Sequence, residues 1–377
     1  MFAHRPMSWL ACLAAPVAAV AQPIGFHVVE PLPGHDFTEI SGLSSDGTRS
    51  VGVSTRNTGG SWRSFIREVN GDLRLCSPSF SQGVPRFISG DGRYTAGTGA
   101  EPPEYQNEYS FRRDGCSSEQ RLTPIYSRVW DINHDGSVIV GGRQFIIEPF
   151  VSGYVASRWT ESGGFQTIIE EGDPRFWSSM ATGVSADGNV VVGHGFGWEG
   201  GTDGPERSFR WTPGGGLEIL PGSGDVVANA VSSDGSRIVG TAYLDDGRRH
   251  NVMWHDGRII DIGLTVTGSG QPQVVSNSGM ILLDTRNFSR NANVWTPAMS
   301  AAMPLPDYIE SFGIDVPDGW VLFEAVGVSD DGRTIAGSAR RPDGQFRGFV
   351  VTVPSAPTLA LLLIASAVCV RRRGLRD

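Results

Sequence analysis

Gly183-Val184-Ser185-Ala186-Asp187-Gly188-Asn189-Val190-Val191-Val192-Gly193 is one copy of a pattern that returns seven times along the 377 residues. An apolar residue is followed by Ser or Asn, a turn closing on Gly, and a second Gly five residues later. The turn glycines are Gly47, Gly92, Gly136, Gly188, Gly235, Gly279 and Gly332, so successive copies lie 44 to 53 residues apart. A period of that size marks stacked supersecondary units, each wide enough for four short strands.

Four residues before each turn glycine stands an apolar side chain: Leu43, Ile88, Ile132, Val184, Val231, Val275 and Val328. These seven are the expected core contacts. Asp precedes the turn glycine in six copies, Ser278 being the exception, and Asp-Gly between apolar runs predicts a two-residue hairpin turn with positive φ. β-Branched and small residues follow, then Gly52, Gly97, Gly141, Gly193, Gly240 and Gly337, with Asp284 breaking the series. Glycine there points to crowded backbones. A third strand carries an aromatic signature, as in Ser64-Phe65, Ser110-Phe111, Ser208-Phe209 and Gly348-Phe349, and a short apolar fourth strand ends each unit. Without helical periodicity, seven such units predict an all-β, seven-bladed β-propeller of four-stranded antiparallel blades.

The last repeat stops after its third strand, Phe349-Val350-Val351-Thr352-Val353, while Phe26-His27-Val28-Val29 begins the domain without a partner. The N-terminal strand is therefore expected to complete the last blade and remove its open edge. A linear β-solenoid, or a six-bladed ring with one degenerate repeat, is the competing arrangement.

Both ends read as addresses. Residues 1–21 carry Arg5, an apolar stretch and Ala19-Val20-Ala21, the outline of a secretory signal peptide. The propeller occupies 22–353. In residues 354–377, a Pro-bracketed motif precedes an apolar run over 358–370 and then Arg371-Arg372-Arg373. That run, about 20 Å as helix, is short against a hydrocarbon core of about 30 Å.

The repeat unit, with Phe209-Arg210-Trp211-Thr212 and Leu217-Glu218-Ile219-Leu220-Pro221-Gly222 behind it, resembles the extracellular HAF-repeat family over nearly the whole chain. The C-terminus resembles a PEP-CTERM sorting signal. The His-Ala-Phe triplet appears here as Arg63-Ser64-Phe65 or Arg207-Ser208-Phe209, and Ser355-Ala356 replaces the Glu between prolines. The resemblance implies an exported protein sorted to the cell surface by exosortase-type machinery, in bacteria that make exopolysaccharide, with the membrane reached through the C-terminal helix. It implies no activity.

All 31 basic residues are Arg, and the chain carries 40 acidic ones. Without both terminal segments the balance is 26 against 39, a charge near −13. Such a surface disfavours nucleic acid as a partner. Cys76 and Cys116 alone lie inside the ring, and whether they bond is open: export permits it, but they are expected at opposite ends of adjacent blades. The seven His residues show no metal-ligand spacing, and His250 and His255 are expected to face solvent. No nucleophile elbow, phosphate loop or dinucleotide fingerprint occurs, so no metal, cofactor or catalytic residue is assigned.

The longest connections are expected between second and third strands and between blades, at 100–108, 145–155, 194–206 and 304–320. They place Tyr105, Trp177, Trp198, Asp203, Glu206 and Trp320 on one face, with Phe176 and Tyr308 beside them. Aromatics next to carboxylates suit sugar stacking or a protein anchor, and equally suit ordinary packing over the propeller mouth. Three functions fit: a non-enzymatic binding or matrix module for polysaccharide or surface protein, a polysaccharide-acting enzyme using Asp203, Glu206 or Glu104 as acid and base, and a structural envelope component.

Overall fold

In each repeat the segment that closes on the turn glycine connects the first and second strands of a blade, by a longer turn than expected. In the first blade Ser44 N–H donates to Arg49 O at 2.8 Å and Gly47 N–H to Ser44 O at 2.9 Å, which leaves four residues in the loop rather than two. The seven turn glycines take φ of +71° to +87°, whereas none of the preceding aspartates has positive φ. Each Asp is instead an acceptor. Asp46 Oδ1 receives the Thr48 N–H at 2.9 Å and the Ser44 hydroxyl at 2.7 Å, and Ser44 Oγ accepts the Arg49 N–H at 2.9 Å. The same staple recurs at Ser89–Asp91, Ser185–Asp187, Ser232–Asp234 and Ser329–Asp331, which explains the Ser before five of the seven turns.

The second glycine series answers to a clash. A Cβ on Gly52, Gly97, Gly141, Gly193, Gly240 or Gly337 would overlap a carbonyl oxygen of the adjacent first strand, from Glu39, Val84, Arg128, Met180, Val227 and Glu324 respectively. In four blades the space above the glycine is filled by the third-strand Phe65, Phe111, Phe209 or Phe349, all fully buried. Asp284 does not break this series. The sixth hairpin is one residue shorter, so Leu283 takes the position and pairs with Asn293, a large–small exchange of the Gly–Phe pair. Asp284 then falls one step on.

The computed structural model describes residues 23–56, 62–76, 83–100, 108–117, 119–122, 127–148, 151–199, 202–264, 270–284 and 287–354. They form seven four-stranded antiparallel sheets, the blades of a ring. Blade 1 comprises Phe37–Leu43, Ser50–Thr55, Trp62–Arg67 and Leu73–Leu75; blade 2, Val84–Ile88, Tyr94–Ala100, Glu108–Asp114 and Gln120–Arg121. Blade 3 comprises Ser127–Ile132, Val138–Glu148, Val151–Thr160 and Gly164–Thr167; blade 4, Ser178–Val184, Val191–Glu199, Thr202–Thr212 and Gly216–Ile219. Blade 5 holds Ser223–Val231, Arg237–Tyr243, Arg249–His255 and Arg258–Leu264; blade 6, Gln271–Val275, Ile281–Asp284, Asn293–Trp295 and Met303–Pro304. Blade 7 holds Val321–Val328, Thr334–Arg340 and Phe346–Thr352, and its fourth strand is the N-terminal Gly25–Val29. Gly25 faces Thr352 and Val29 faces Gly348, so the ring closes as the missing strand required. Six of the seven apolar positions before the turns are buried, and Leu43 is partly so.

Several expectations need correction. Residues 145–155 and 194–206 are mostly strand, long hairpins rather than loops. Residues 304–320 contain a helix, Leu305–Glu310, whose Leu305 and Ile309 are buried against the core of blades 6 and 7. Cys76 and Cys116 form a disulfide with Cα atoms 4.2 Å apart. The fourth strand of blade 1 is only three residues long, so Cys76, bonded to Ser64 O, stops partway along the blade within reach of the neighbour's turn. His250 is buried, not solvent-facing, and bridges Asp261 at 2.9 Å and Asp246 at 3.0 Å. Burial works against its protonation, but the two carboxylates outweigh it and raise its pKa. The signal segment 1–21 and the tail from 355 onward lie outside the described residues.

Gly193→Ala, which drives a Cβ into Met180 O and the Phe209 ring, is expected to cost at least about 2 kcal/mol in urea denaturation. Gly214→Ala, where nothing lies within 4 Å, should change stability by no more than about 0.5 kcal/mol.

Candidate functional site

The first strand of each blade lines the ring's axis, and its alternating residues face the central space. Two such layers come from Glu39 and Ser41, Val84 and Arg86, Met180 and Thr182, Val227 and Asn229, Gln271 and Gln273, and Glu324 and Val326, with Trp130 from blade 3. They enclose a cavity of about 770 Å³, open at the end where the second-to-third-strand hairpins project. Ligand pockets span about 300–1,000 Å³.

The other end is closed by a circle of hydrogen bonds running from blade to blade. Ser45 N–H donates to Gly90 O at 2.9 Å, Asp91 to His134 O at 2.9 Å, His134 to Ala186 O at 3.3 Å and Ala186 to Ser233 O at 2.8 Å. Asp234 N–H then donates to Asn277 Oδ1 at 2.9 Å, Ser278 to Asp330 O at 3.3 Å and Asp330 to Ser45 O at 2.8 Å. Inside this circle Ser45 Oγ reaches Ser233 Oγ across the axis at 3.4 Å, and Ser233 also bonds the Asp330 carboxylate. Burial raises the Asp330 pKa, against the pull of Ser233 and His134. A smaller cavity of about 200 Å³ lies above this floor, walled by Trp130, Asn229 and Gln273 among others. The site is a blind cup.

Its walls differ in charge. On the side of blades 6, 7 and 1 stand Asp284, Glu324 and Glu39. Burial, reinforced by repulsion from Asp284 and Glu39, pushes Glu324 up to about 7. Burial also raises Glu39, with Arg86 pulling the other way. Opposite, on blades 4 and 5, stand His194, Glu206 and Arg249. Burial lowers the His194 pKa, against the pull of Ala228 O, which lies 3.1 Å from its Nδ1. Trp130 is 38% exposed within the cup, and Phe87 and Trp62 complete an aromatic lining. Asp131, beside Trp130, is structural: it accepts the N–H groups of Ile132 at 2.8 Å and Val184 at 2.9 Å, tying blade 3 to blade 4, while burial lifts its pKa to about 7.

Of the residues expected at a working face, Glu206 lines the cup. Trp177 lies between blades 3 and 4, its ring 6.5 Å from Phe196, and its indole nitrogen is buried without a partner. Trp198 and Asp203 face each other across the tip of the blade 4 hairpin, and their side chains lie outside the described residues. Trp320 packs edge-on against Phe26 at 6.3 Å, with the Arg341 guanidinium 5.8 Å from its ring. It is part of the blade 7 packing rather than the mouth. Phe176 and Tyr308 are core residues. Tyr105 and Glu104 lie outside the described residues. The sequence reading passed over Glu39, Arg86, Trp130, Gln273, Asp284 and Glu324. Most stand two or four residues before the conserved-phase apolar position of their own repeat, which is the signal that could have found them.

Among the described residues no three His, Cys, Asp or Glu side chains are grouped to hold a metal ion, and no helix is long and apolar enough to cross a membrane. No protein-family model matches the chain, and no curated protein sequence does. Solved structures do. The β-propeller domain of the Trilobed protease from Pyrococcus furiosus, described with an open velcro topology, superposes with a TM-score of 0.58 at 16% identity, over 84% of this chain and 95% of that one. An oligogalacturonate lyase in complex with manganese gives 0.53 at 14% identity, over 89% and 99%. Prolyl oligopeptidase B from Galerina marginata gives 0.54 at 10% identity over 86% of this chain, which spans about half the length of that protein. At these identities the likeness is one of fold.

Because the folded Glu324 binds its proton more tightly than an ordinary carboxyl, folding stability contributed by this group falls as pH rises from 4.5 to about 7. Glu324→Gln is expected to remove that slope and to be the more stable protein at pH 8 by on the order of 1 kcal/mol. Urea midpoints of both proteins at pH 5 and pH 8 check this.

Proposed function

We propose that this chain is an exported binding module, held at the cell envelope, whose cup engages polysaccharide. The observation that carries the reading is the cup itself: a large blind cavity in which the exposed Trp130 stands among the amides of Asn229, Gln271 and Gln273 and the carboxylates of Glu39 and Glu324. Aromatic faces stack on sugar rings while amides and carboxylates pair with hydroxyl groups, and a pocket shaped by seven rigid blades supplies both without rearrangement. A surface protein inserting a polar loop is the competing partner.

The way the chain enters and leaves the ring supports presentation at a surface. Gly25 and Thr352 are paired, and Thr352 is paired with Thr334, next to the turn at Gly332. Both ends thus leave from the closed face, opposite the cup. Only residues 354–357 separate Val353 from the apolar run over 358–370, a reach of at most about 18 Å. Insertion of that run in a membrane, the sorting-signal reading of the tail, would hold the closed face toward the bilayer and the cup outward.

One observation favours a second reading, polysaccharide cleavage. Burial and repulsion from Asp284 and Glu39 push Glu324 up to about 7, the poise of a general acid, and Glu39 is a second carboxylate in the same cup. Release of reducing ends from a polysaccharide, abolished by Glu324→Gln, would establish it in place of binding.

On an array of bacterial and plant glycans the protein is expected to give saturable binding, and Trp130→Ala to weaken it about tenfold, the order of magnitude of one aromatic stacking contact. A folded ring that binds no glycan, confirmed by circular dichroism, would overturn the reading.

A further inference from the structure

Resting on the saccharide reading of the same cup, we propose that a collar of bulged residues around the axis selects the terminal unit of an uncharged saccharide chain, which passes between Trp130 and Gln273 into the lower chamber.

The first strand of every blade carries a β-bulge two residues before its apolar position. Pairing with the second strand skips Ser41 in blade 1, Arg86 in blade 2, Trp130 in blade 3 and Thr182 in blade 4. It skips Asn229, Gln273 and Val326 in blades 5 to 7. A bulge leaves its extra residue out of the ladder and re-aims the side chain. In all seven blades the residue just before the bulge is buried and the bulged residue is not, and every bulged residue lines the cup. Opposite the residue before the bulge stands the second glycine of the repeat, as in Ile40–Gly52 and Ala181–Gly193, with Leu283 in its place in blade 6. The backbone device therefore recurs with the repeat, whereas the residue it presents is different in every blade. Blade-to-blade packing holds the neighbouring apolar positions to Leu, Ile and Val; the collar is under no such demand.

Three members of the collar are tied to the next blade. Ser41 Oγ donates to Pro85 O at 3.0 Å, Thr182 Oγ1 to Ala228 O at 2.9 Å and Asn229 Nδ2 to Pro272 O at 2.8 Å. In each case the acceptor is the residue just before the neighbour's bulge. Gln273 stands at the same position but makes no such bond, and its Nε2 is buried without a partner. A buried donor left unpaired is costly, and a sugar hydroxyl in the cavity would satisfy it. In a ring of seven, blade 3 faces the junction of blades 6 and 7, so Trp130, 38% exposed, stands across the axis from Gln273 and Val326. An aromatic ring on one side and an amide donor on the other suit a sugar, which has an apolar face and a polar edge. Arg86 is the one charged member, and its field acts on Glu39 and Glu324 within the same cup. The collar thus holds no uncompensated charge with which to select an ionic sugar.

The depth of the cup sets which unit is read. All the collar residues except Arg86 also wall the lower chamber of about 200 Å³, so the collar is the waist between the two cavities. That chamber is on the scale of a single sugar ring. Beneath it the blade-to-blade hydrogen bonds close the floor, with Ser45 and Ser233 meeting across the axis at 3.4 Å, and no chain can thread the ring. A linear polymer can put only an end through the collar, and its internal units stay above.

Calorimetric titration of the full chain tests this with linear hexasaccharides of α-1,4-glucose, β-1,4-glucose, β-1,3-glucose and β-1,4-mannose, the cyclic α-1,4-glucose hexamer and a galacturonate hexamer. At least one linear neutral hexamer is expected to bind, about tenfold or more tighter than the cyclic or galacturonate hexamer. The long linear polymer of the same sugar should titrate with the same number of proteins per chain as its hexamer, because only ends enter. Trp130→Ala and Gln273→Leu are each expected to weaken the hexamer several-fold, and Gln273→Leu to keep or raise the urea midpoint, because it removes an unpaired buried donor. Phe288→Ala, at an exposed aromatic that does not line the cavity, should leave affinity unchanged. A stoichiometry that grows with chain length, or equal binding of the cyclic hexamer, overturns the proposal and leaves the saccharide reading standing. So does tighter binding of the galacturonate hexamer, or an unchanged affinity in Gln273→Leu. Absence of binding by every saccharide overturns both.

Discussion

The closure of the ring at the Asp-Gly turns is the constraint on which everything else hangs. A propeller blade is a twisted sheet that cannot cover its own faces, so each must pack on two neighbours, and the last must find the first. Here the neighbours are joined by a complete circle of hydrogen bonds from the turn of one blade to the turn of the next. The strand Gly25–Val29 then supplies the outer edge of blade 7. Without it, Phe346–Thr352 would expose a row of unpaired backbone groups at the one place where the chain starts and stops.

That same circle sets the shape of the site. The turns draw the inner strands together at one face, where Ser45, Ser233 and Asp330 meet, and the strands splay apart toward the other, as their twist demands. A cavity closed at the narrow end and open at the wide one follows from the packing of seven similar sheets, before any residue is chosen for a ligand. What distinguishes this cup is its lining, because positions facing the axis are free of the blade-to-blade packing that holds the apolar positions constant.

This difference explains what was legible in the sequence. The architecture was readable because its cause is repetitive: a carbonyl that excludes a Cβ at Gly52 excludes it again at Gly193 and Gly337, and a Ser–Asp staple is needed at nearly every turn. Where reading failed, the reason was local. Asp284 looked like a broken repeat because one residue is missing from its hairpin, and Cys76 looked out of reach because its strand ends early. The cup was largely illegible for the opposite reason. Trp130, Glu324 and Gln273 occupy equivalent phases in different blades, or neighbouring ones, yet share no residue type. Long connections such as 194–206, which read as loops in the sequence, are extended hairpins.

The carboxylates of the cup bear on why such residues persist. Glu324 and Glu39 are both shifted toward protonation by burial, Glu324 also by repulsion from Asp284 and Glu39, so both make folding less favourable near neutral pH than a neutral amide would. Asp131, by contrast, is also raised by burial, to about 7, but holds two backbone N–H groups, one of them from the next blade, and so has a structural reason to be there. Comparing the two cases separates a carboxylate that stabilises the ring from carboxylates that the ring merely tolerates. The tolerated ones face an open cavity beside exposed aromatics, and a group that weakens its own fold while pointing into a pocket is best explained by what enters the pocket.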